Sequence, residues 1–393
     1  MNRQLKKSHS LSEISFWKCT VFVFLIASIT FGEASKDPNA MAVEFLNKMR
    51  IDSKTPGLQY MIFNSDSILF EYNGGMSDLG DKARIRQRTT FTAYSVTKTF
   101  TALAILQLAE AGKLNIEDNA KLYLGYLPYS RNFTINELLN HTSGLPNPIP
   151  LKWIHLIEEH EEFDYRAFRR MIVYKYDKLK NTPGKKYSYS NIGYLLLGEI
   201  IETASGQEYR TYIRENIIDK LMLPENAYLG FEILDTTEHA RGYIRKTSFM
   251  NFWLNFIFDK DKFLEESRYG WSQFRFLYVN GDSYGGLIGN ATGFAIYLQS
   301  LLSDTLLLSD PSKAKLFNSQ QTTNGKTSEM CLGWFTGKLG DEVYFAHPGG
   351  GGGYYCEIRL YPGLNIASVI LFNRTGSGNE KVLDDIDKIF LGK

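Results

Sequence analysis

The order in which structure-forming patterns occur constrains the fold of this 393-residue chain more than any single motif: β-prone runs lie near both ends, and helix-period stretches separate them. Leu58–Phe63 and Ser67–Tyr72 flank Asn64-Ser65-Asp66, a polar turn of hairpin length. Toward the other end, Met330–Gly337, Val343–Ala346, Tyr354–Tyr361 and Ile366–Phe372 are four more such runs, with Pro362-Gly363 as a turn. Ala42, Val43, Leu46 and Met49 mark a helix before the first strands, and Val382, Leu383, Ile386, Ile389 and Phe390 form a stripe on a last helix that needs a surface to cover. A sheet supplies that surface. Between the strand groups, Phe100, Leu103, Ala104, Leu106 and Leu108 repeat at helical spacing up to Gly112, a C-cap signal. Further helices are expected over Ile135–Asn140, Tyr165–Tyr176, Ile192–Ala204 and Glu208–Lys220. The predicted fold class is α/β: a sheet layer from about 37–92 and 281–393, with an α-rich region over about 93–280 inserted in one domain spanning 35–393.

With 44% hydrophobic residues the chain has ample material for a sizeable core, and a formal net charge of +1 lacks the basic excess a nucleic-acid binder uses against phosphates. Nucleic acid is therefore not an expected partner. No fixed-period repeat is present, which sets aside solenoids and fibrous folds. Six histidines show no H-x-x-x-H pair and three cysteines show no ligand spacing, so neither a metal nor another cofactor is expected. Cys331 and Cys356 fall on separate strand runs and allow at most one disulfide.

The first residues read as an address. Arg3, Lys6, Lys7 and Lys18 precede an apolar run, Cys19–Phe31, followed by Gly32-Glu33-Ala34. At about 13 residues the run is shorter than the roughly 20 that cross a bilayer, and the small residues suit cleavage after Ala34. Residues 1–34 are expected to be a signal peptide and the mature protein exported to a periplasm or secreted; an uncleaved membrane anchor is the alternative.

Three short motifs carry the chemistry. Ser95-Val96-Thr97-Lys98 opens the long apolar helix, and a three-residue offset puts both side chains on one face. A desolvated lysine loses its proton and then accepts that of a serine, while the helix N-terminus favours developing negative charge. Ser15/Lys18 and Ser312/Lys315 share the spacing but open no buried helix, and the residue-only alternative for Ser95 is an N-cap. Tyr189-Ser190-Asn191 follows Pro183-Gly184 and precedes a helix. Two neighbouring positive charges would lower the pKa of Tyr189 and make it a proton shuttle, and Asn191 offers both halves of an amide to a substrate. Their alternatives are a core aromatic and a helix N-cap. His347-Pro348-Gly349-Gly350 ends a strand, where glycines allow close backbone approach and the Gly350 N–H is placed to complete an oxyanion hole with that of Ser95.

S-x-x-K on an apolar helix, then Y-S-N, then H-x-G on a late strand resembles the serine β-lactamase and penicillin-binding protein superfamily, with class C β-lactamases, D-alanyl-D-alanine carboxypeptidases and related esterases the most similar members. The resemblance runs from about Pro56 to Asn373 through Leu138–Leu145, Thr182-Pro183-Gly184, Leu195–Gly198, Gly285-Gly286-Leu287 and Leu332-Gly333-Trp334. It implies a five-stranded antiparallel sheet flanked by helices, an all-α domain beside it, and a site in the cleft between. It further implies Ser95 as the acylated nucleophile, Lys98 and Tyr189 as the proton-transfer pair, Asn191, His347, Gly349 and Gly350 as substrate contacts, and a structural role for His141.

The implied function is hydrolysis of a D-amino-acid peptide, amide or ester through an acyl-enzyme, with a β-lactamase or a non-catalytic penicillin-binding or sensing module as alternatives. The departure at His347 bears on the substrate. Many β-lactamases carry lysine there, and a histidine is charged only conditionally, which favours a peptide, amide or ester over a β-lactam. Residues 249–278, about a third aromatic, are expected to pack an enlarged helical region, to form a lid over the cleft or to touch membrane or cell wall; an envelope scaffold acting through them is a third functional reading.

Overall fold

The computed structural model describes residues 37–52, 55–148, 150–249, 251–252, 259–265, 267–303, 305–320, 322–323, 325, 328–375 and 382–392. The expected signal peptide lies outside these residues, as do parts of the aromatic stretch 249–278.

The two groups of strands meet in one sheet. From the first come β1 (Gly57–Asn64), β2 (Ile68–Asp78) and β3 (Ala83–Arg84); from the second come β4 (Phe335–Leu339), β5 (Glu342–Gly351), β6 (Tyr354–Tyr361) and β7 (Ile366–Phe372). The order is β4-β5-β6-β7-β1-β2-β3, every neighbouring pair antiparallel, with β7 and β1 joining the chain ends in a register that sets Met61 opposite Val369. Five strands were implied and seven are found in this sheet among the described residues, because five- and two-residue edge strands extend a centre of five longer ones.

Side chains alternate across a strand, and here both faces are covered. Leu58, Tyr60 and Ile62 of β1 point toward α1 (Pro38–Ile51) and the last helix, Val382–Leu391, and pack with Leu46 and Ile386. Met61 and Phe63 point the other way, into the main core with α2 (Thr97–Glu110), α3 (Asn191–Ser205) and α4 (Ala291–Ser303). Double coverage is why β1 reads as a continuous apolar run.

Helix α2 is buried at every position from Thr97 to Leu106. A helix sunk on all sides carries any polar residue in it away from water. The helix over 165–175 starts at Asp164, whose carboxylate accepts from the N–H groups of Arg166 and Ala167, and α3 starts at Ser190, whose hydroxyl accepts from Gly193 N–H. The middle of the chain is not all helix. Among the described residues it holds three small sheets: Phe91–Thr92 with Leu229–Gly230 and Ile288–Gly289, Ile154–Leu156 with Leu277–Val279, and Tyr243–Arg245 with Trp271–Gln273. Strands of two or three residues leave no period-two pattern to read. Cys331 and Cys356 are buried free thiols.

Candidate active site

Ser95 sits in a single 3-10 turn, Tyr94–Val96, that leads directly into α2. Residues three apart eclipse in such a turn, which keeps Ser95 and Lys98 on one face although Ser95 precedes the α-helix proper. The turn is strained. Tyr94 is left-handed at φ 47, a conformation that costs a non-glycine residue on the order of 1–3 kcal/mol and that surrounding contacts must hold. They do: Thr97 Oγ1 donates to Tyr94 O at 2.6 Å, Leu287 N–H donates to Thr97 Oγ1 at 3.0 Å, and Ala93 N–H donates to Leu287 O at 2.8 Å. The result pushes a partly exposed hydroxyl out at the N-terminal end of a buried helix.

Lys98 is fully buried. Its Nζ lies 2.9 Å from Ser95 Oγ and 2.7 Å from the carbonyl oxygen of Tyr284, both neutral partners. The rings of Tyr189, Tyr194 and Tyr284 surround it with centroids 5.1–5.4 Å away. Ring faces favour a cation by about 0.5–2 kcal/mol each, whereas complete burial of a lysine without a counter-ion shifts its pKa by as much as 3–5 units. Burial dominates and holds the amine well below the ordinary lysine range.

Tyr189 OH donates to Ser95 Oγ at 2.9 Å. The expectation of a lowered phenol pKa is corrected here. Burial raises it, and the neighbouring groups Lys98 and His347, which could have carried positive charge, are both held toward their neutral forms. The resting phenol keeps its proton. Tyr189 is fixed from behind by His141, a left-handed residue at φ 60 whose ring centroid is 4.3 Å from the phenol ring. Ser190 N–H donates to His141 Nδ1 at 3.1 Å and Ser188 N–H donates to His141 O at 2.8 Å, so this one imidazole residue ties down the whole Tyr189 turn. An Nδ1 that accepts must be unprotonated, and burial pushes the pKa of His141 down, so the ring is neutral.

Beyond Ala346, β5 pairs among the described residues only with β6, leaving its other edge toward Ser95. Gly349 makes the approach possible. A Cβ there would lie 2.1 Å from Ala93 O, 2.8 Å from Ser95 N and 3.0 Å from Val96 N, all backbone atoms of the nucleophile turn. Gly350 is the next residue along that edge. His347 is fully buried beside Phe335, and its Nδ1–H donates to Pro348 O at 2.8 Å. Burial and the nearby Lys98 push its pKa down to about 3. Its Nε2 is buried with no hydrogen-bond partner among the described residues. Asn191 is the first residue of α3; the cap is Ser190, so the N-cap alternative for Asn191 is excluded. Asn147 Oδ1 accepts from its N–H at 3.1 Å, and its own Oδ1 is buried without a partner among the described residues.

The structure thus brings Ser95, Lys98 and Tyr189 into direct contact and sets Gly349 against the nucleophile turn. Sequence reasoning missed the Tyr284 carbonyl, the left-handed Tyr94 and the anchoring by His141. The Gly285-Gly286 pair was the available signal for the first. Among the described residues no group of three or more His, Cys, Asp or Glu is arranged to hold a metal ion, and no helix is long and apolar enough to cross a membrane.

A family model described as Beta-lactamase matches residues 40–391, and the chain belongs to that family. Penicillin-binding protein 4* of Bacillus subtilis (strain 168) is 30% identical over 306 residues, 75% of this chain and 63% of the relative. Protein flp of Staphylococcus aureus (strain N315) is 30% identical over 178 residues, 44% of this chain and 35% of the relative. The chain therefore spans less than two thirds of the length of these curated relatives. Among solved structures, an octameric penicillin-binding protein homologue from Pyrococcus abyssi aligns with TM-score 0.73 at 23% identity, covering 90% of this chain and 77% of that one. A D-amino acid amidase from Ochrobactrum anthropi SV3, complexed with D-phenylalanine, aligns with TM-score 0.71 at 16% identity, covering 91% and 99%. At these identities the likeness concerns the fold.

Proposed function

We propose that this protein is an exported serine hydrolase that cleaves a D-amino-acid amide, ester or peptide through an acyl-enzyme on Ser95. The observation that carries the reading is the position of Ser95 Oγ, 2.9 Å from a buried amine with no counter-ion among the described residues and 2.9 Å from a protonated phenol. Ser95 Oγ attacks the substrate carbonyl carbon and its proton passes to Lys98 Nζ. The oxyanion is held by the N–H groups of Ser95 and Gly350. Tyr189 gives its proton to the departing nitrogen or oxygen as the C–N or C–O bond breaks, and the Lys98 ammonium restores it. Water then attacks the acyl carbon, its proton follows the same route, and Ser95 is released. General-base and oxyanion contributions of this kind are each worth roughly two to four powers of ten in rate.

His347 narrows the substrate. A buried neutral imidazole beside a lysine has no fixed charge with which to hold a carboxylate, so the best substrates present an uncharged group there. An amide or ester suits the site better than a peptide ending in a free carboxylate, and the structural likeness to a D-amino acid amidase supports the same reading. Residues 1–34 direct export, and residues 35–393 are the hydrolase. The test is a panel on purified protein: D-amino-acid amides, p-nitrophenyl esters, D-alanyl peptides with free carboxyl ends, and nitrocefin. The expected result is turnover of amides and esters at least about tenfold above the free-carboxyl peptides, abolished by Ser95→Ala. A stable adduct on Ser95 with no turnover of any substrate would instead identify a penicillin-binding sensor.

A further inference from the structure

Lys98 Nζ has two partners, and one of them is a backbone carbonyl whose position has to be explained. Tyr284 lies in a single helical turn, Asp282–Gly285, too short to hold itself. Its contacts with α2 are Lys98 Nζ to Tyr284 O at 2.7 Å and Thr101 Oγ1 to Ser283 O at 2.6 Å. On its far side the turn is gripped by an ion pair. Arg210, from the helix Tyr209–Ile213, places Nε 2.7 Å from Asp282 Oδ2 and Nη2 3.0 Å from Asp282 Oδ1, a two-pronged geometry that fixes a carboxylate in both position and orientation. The Asp282 side chain is only 13% exposed. Arg210 is itself held by Glu232 and by Tyr165 OH at 2.7 Å. Asn280, two residues before Asp282, accepts at Oδ1 from His155 Nδ1–H at 2.7 Å, and His155 Nε2 lies 2.9 Å from His160 Nδ1. His160 reaches Glu232 at 3.3 Å, which closes the network on Arg210.

We infer that Asp282 and Arg210 are positioning residues for the reaction: their ion pair sets the Tyr284 carbonyl so that it takes one N–H of the Lys98 amine and turns the lone pair toward Ser95. A neutral amine has two hydrogens and one lone pair, and a base that rotates freely presents the lone pair to the serine only part of the time. A carbonyl fixed at 2.7 Å removes that freedom. The groups facing Lys98 are the phenols of Tyr189, Tyr194 and Tyr284, with His141 and His347 nearby, all neutral at rest; the charged groups of the clamp, Asp282, Arg210 and Glu232, and the stacked His155–His160 pair stand behind the carbonyl. This inference rests on Lys98 being the base for Ser95.

The experiment measures kcat, KM and the pH profile of p-nitrophenyl acetate hydrolysis for wild type, Ser95→Ala, Asp282→Asn, Asp282→Glu and Arg210→Lys, with thermal melts on each. Asp282→Asn is expected to lower kcat about 10- to 100-fold with KM within about threefold. Its acid limb is expected to move at least about half a pH unit lower, because losing both a fixed acceptor at Nζ and a buried carboxylate disfavours the ammonium. Asp282→Glu keeps the charge and should recover part of the rate and return the limb toward wild type. A lowered rate with the limb in place marks a merely structural role and overturns the proposal, as does a wild-type rate. Should Asp282→Asn not fold, Arg210→Lys carries the test: it keeps the charge, breaks the fork and is expected to cut kcat at least about fivefold, and unchanged kcat overturns the proposal. Activity surviving in Ser95→Ala would instead mean that the underlying reading has failed, whereas an inactive Ser95→Ala beside an indifferent Asp282→Asn sinks the positioning role alone.

Discussion

Replacing Gly349 with alanine adds one methyl group where the sheet edge meets the nucleophile turn. The new Cβ would stand 2.1 Å from Ala93 O and 2.8 Å from Ser95 N. Ordinary contacts begin near 3.4 Å, so strand and turn must separate by more than about 1 Å, and neither neighbour is a side chain that can swing aside. Overpacking of this kind costs about 1–3 kcal/mol of stability. The larger effect is on rate: a displacement of about 1 Å between reacting groups costs on the order of 100-fold, or about 2.7 kcal/mol of transition-state stabilisation. Gly350→Ala is the matched control. Its Cβ would meet Tyr354 O at 3.5 Å and Tyr355 Cδ2 at 3.6 Å, ordinary contacts, and alanine keeps the backbone N–H proposed for the oxyanion. The assay is kcat/KM on p-nitrophenyl acetate with a thermal melt of each variant. Gly349→Ala is expected to fall about 100-fold and Gly350→Ala no more than about threefold. If the two behave alike, the close approach of β5 to Ser95 is wrong.

Lys98→Met should slow acylation of Ser95 by about 10²–10⁴-fold and remove the acid limb of the rate profile; in the wild type that limb is the protonation of Lys98 as pH falls through its lowered pKa, and a limb persisting in the variant assigns it to another group. His347→Lys installs a fixed cation and is expected to shift the ratio of kcat/KM toward peptides ending in a carboxylate by at least about tenfold over D-amino-acid amides; an unchanged ratio detaches His347 from substrate choice. Asp387, buried between the sheet and the last helix, accepts from Tyr60 OH, Tyr361 OH and Ser368 Oγ, yet burial raises its pKa from 3.8 to about 6. A raised carboxyl favours the folded state when protonated. That contribution is complete below about pH 3.8 and lost as pH rises through about 6. Urea unfolding should therefore show wild type gaining up to about 3 kcal/mol on Asp387→Asn between pH 7 and pH 4, and a constant difference would remove the assignment.

What could be read in the chain and what could not divide along physical lines. Strand β1 and the late strands Tyr354–Tyr361 and Ile366–Phe372 were legible because long strands covered on their faces must be apolar over many residues. Ser95 and Lys98 were legible because an i, i+3 offset survives whether the turn is α or 3-10. The two-residue edge strand and the small central sheets were not, since so few residues carry no period. The charge state of Tyr189 was misjudged because a phenol among cations and a phenol buried among neutral groups have the same local sequence. The cap at Ser190 in place of Asn191 turned on one hydrogen bond to Gly193, and the left-handed turns at Tyr94 and His141 are imposed by contacts distant in sequence. The Tyr284 carbonyl belongs to the backbone, which no side-chain motif reveals.

The central claim, that a buried neutral amine makes one serine reactive, is tested most directly by mass spectrometry after incubation with a fluorophosphonate. Wild type is expected to gain a single phosphonyl group, mapped to the peptide carrying Ser95, at a rate that drops at least about a hundredfold in Lys98→Met. Label on a different residue, or undiminished labelling of Lys98→Met, contradicts the account.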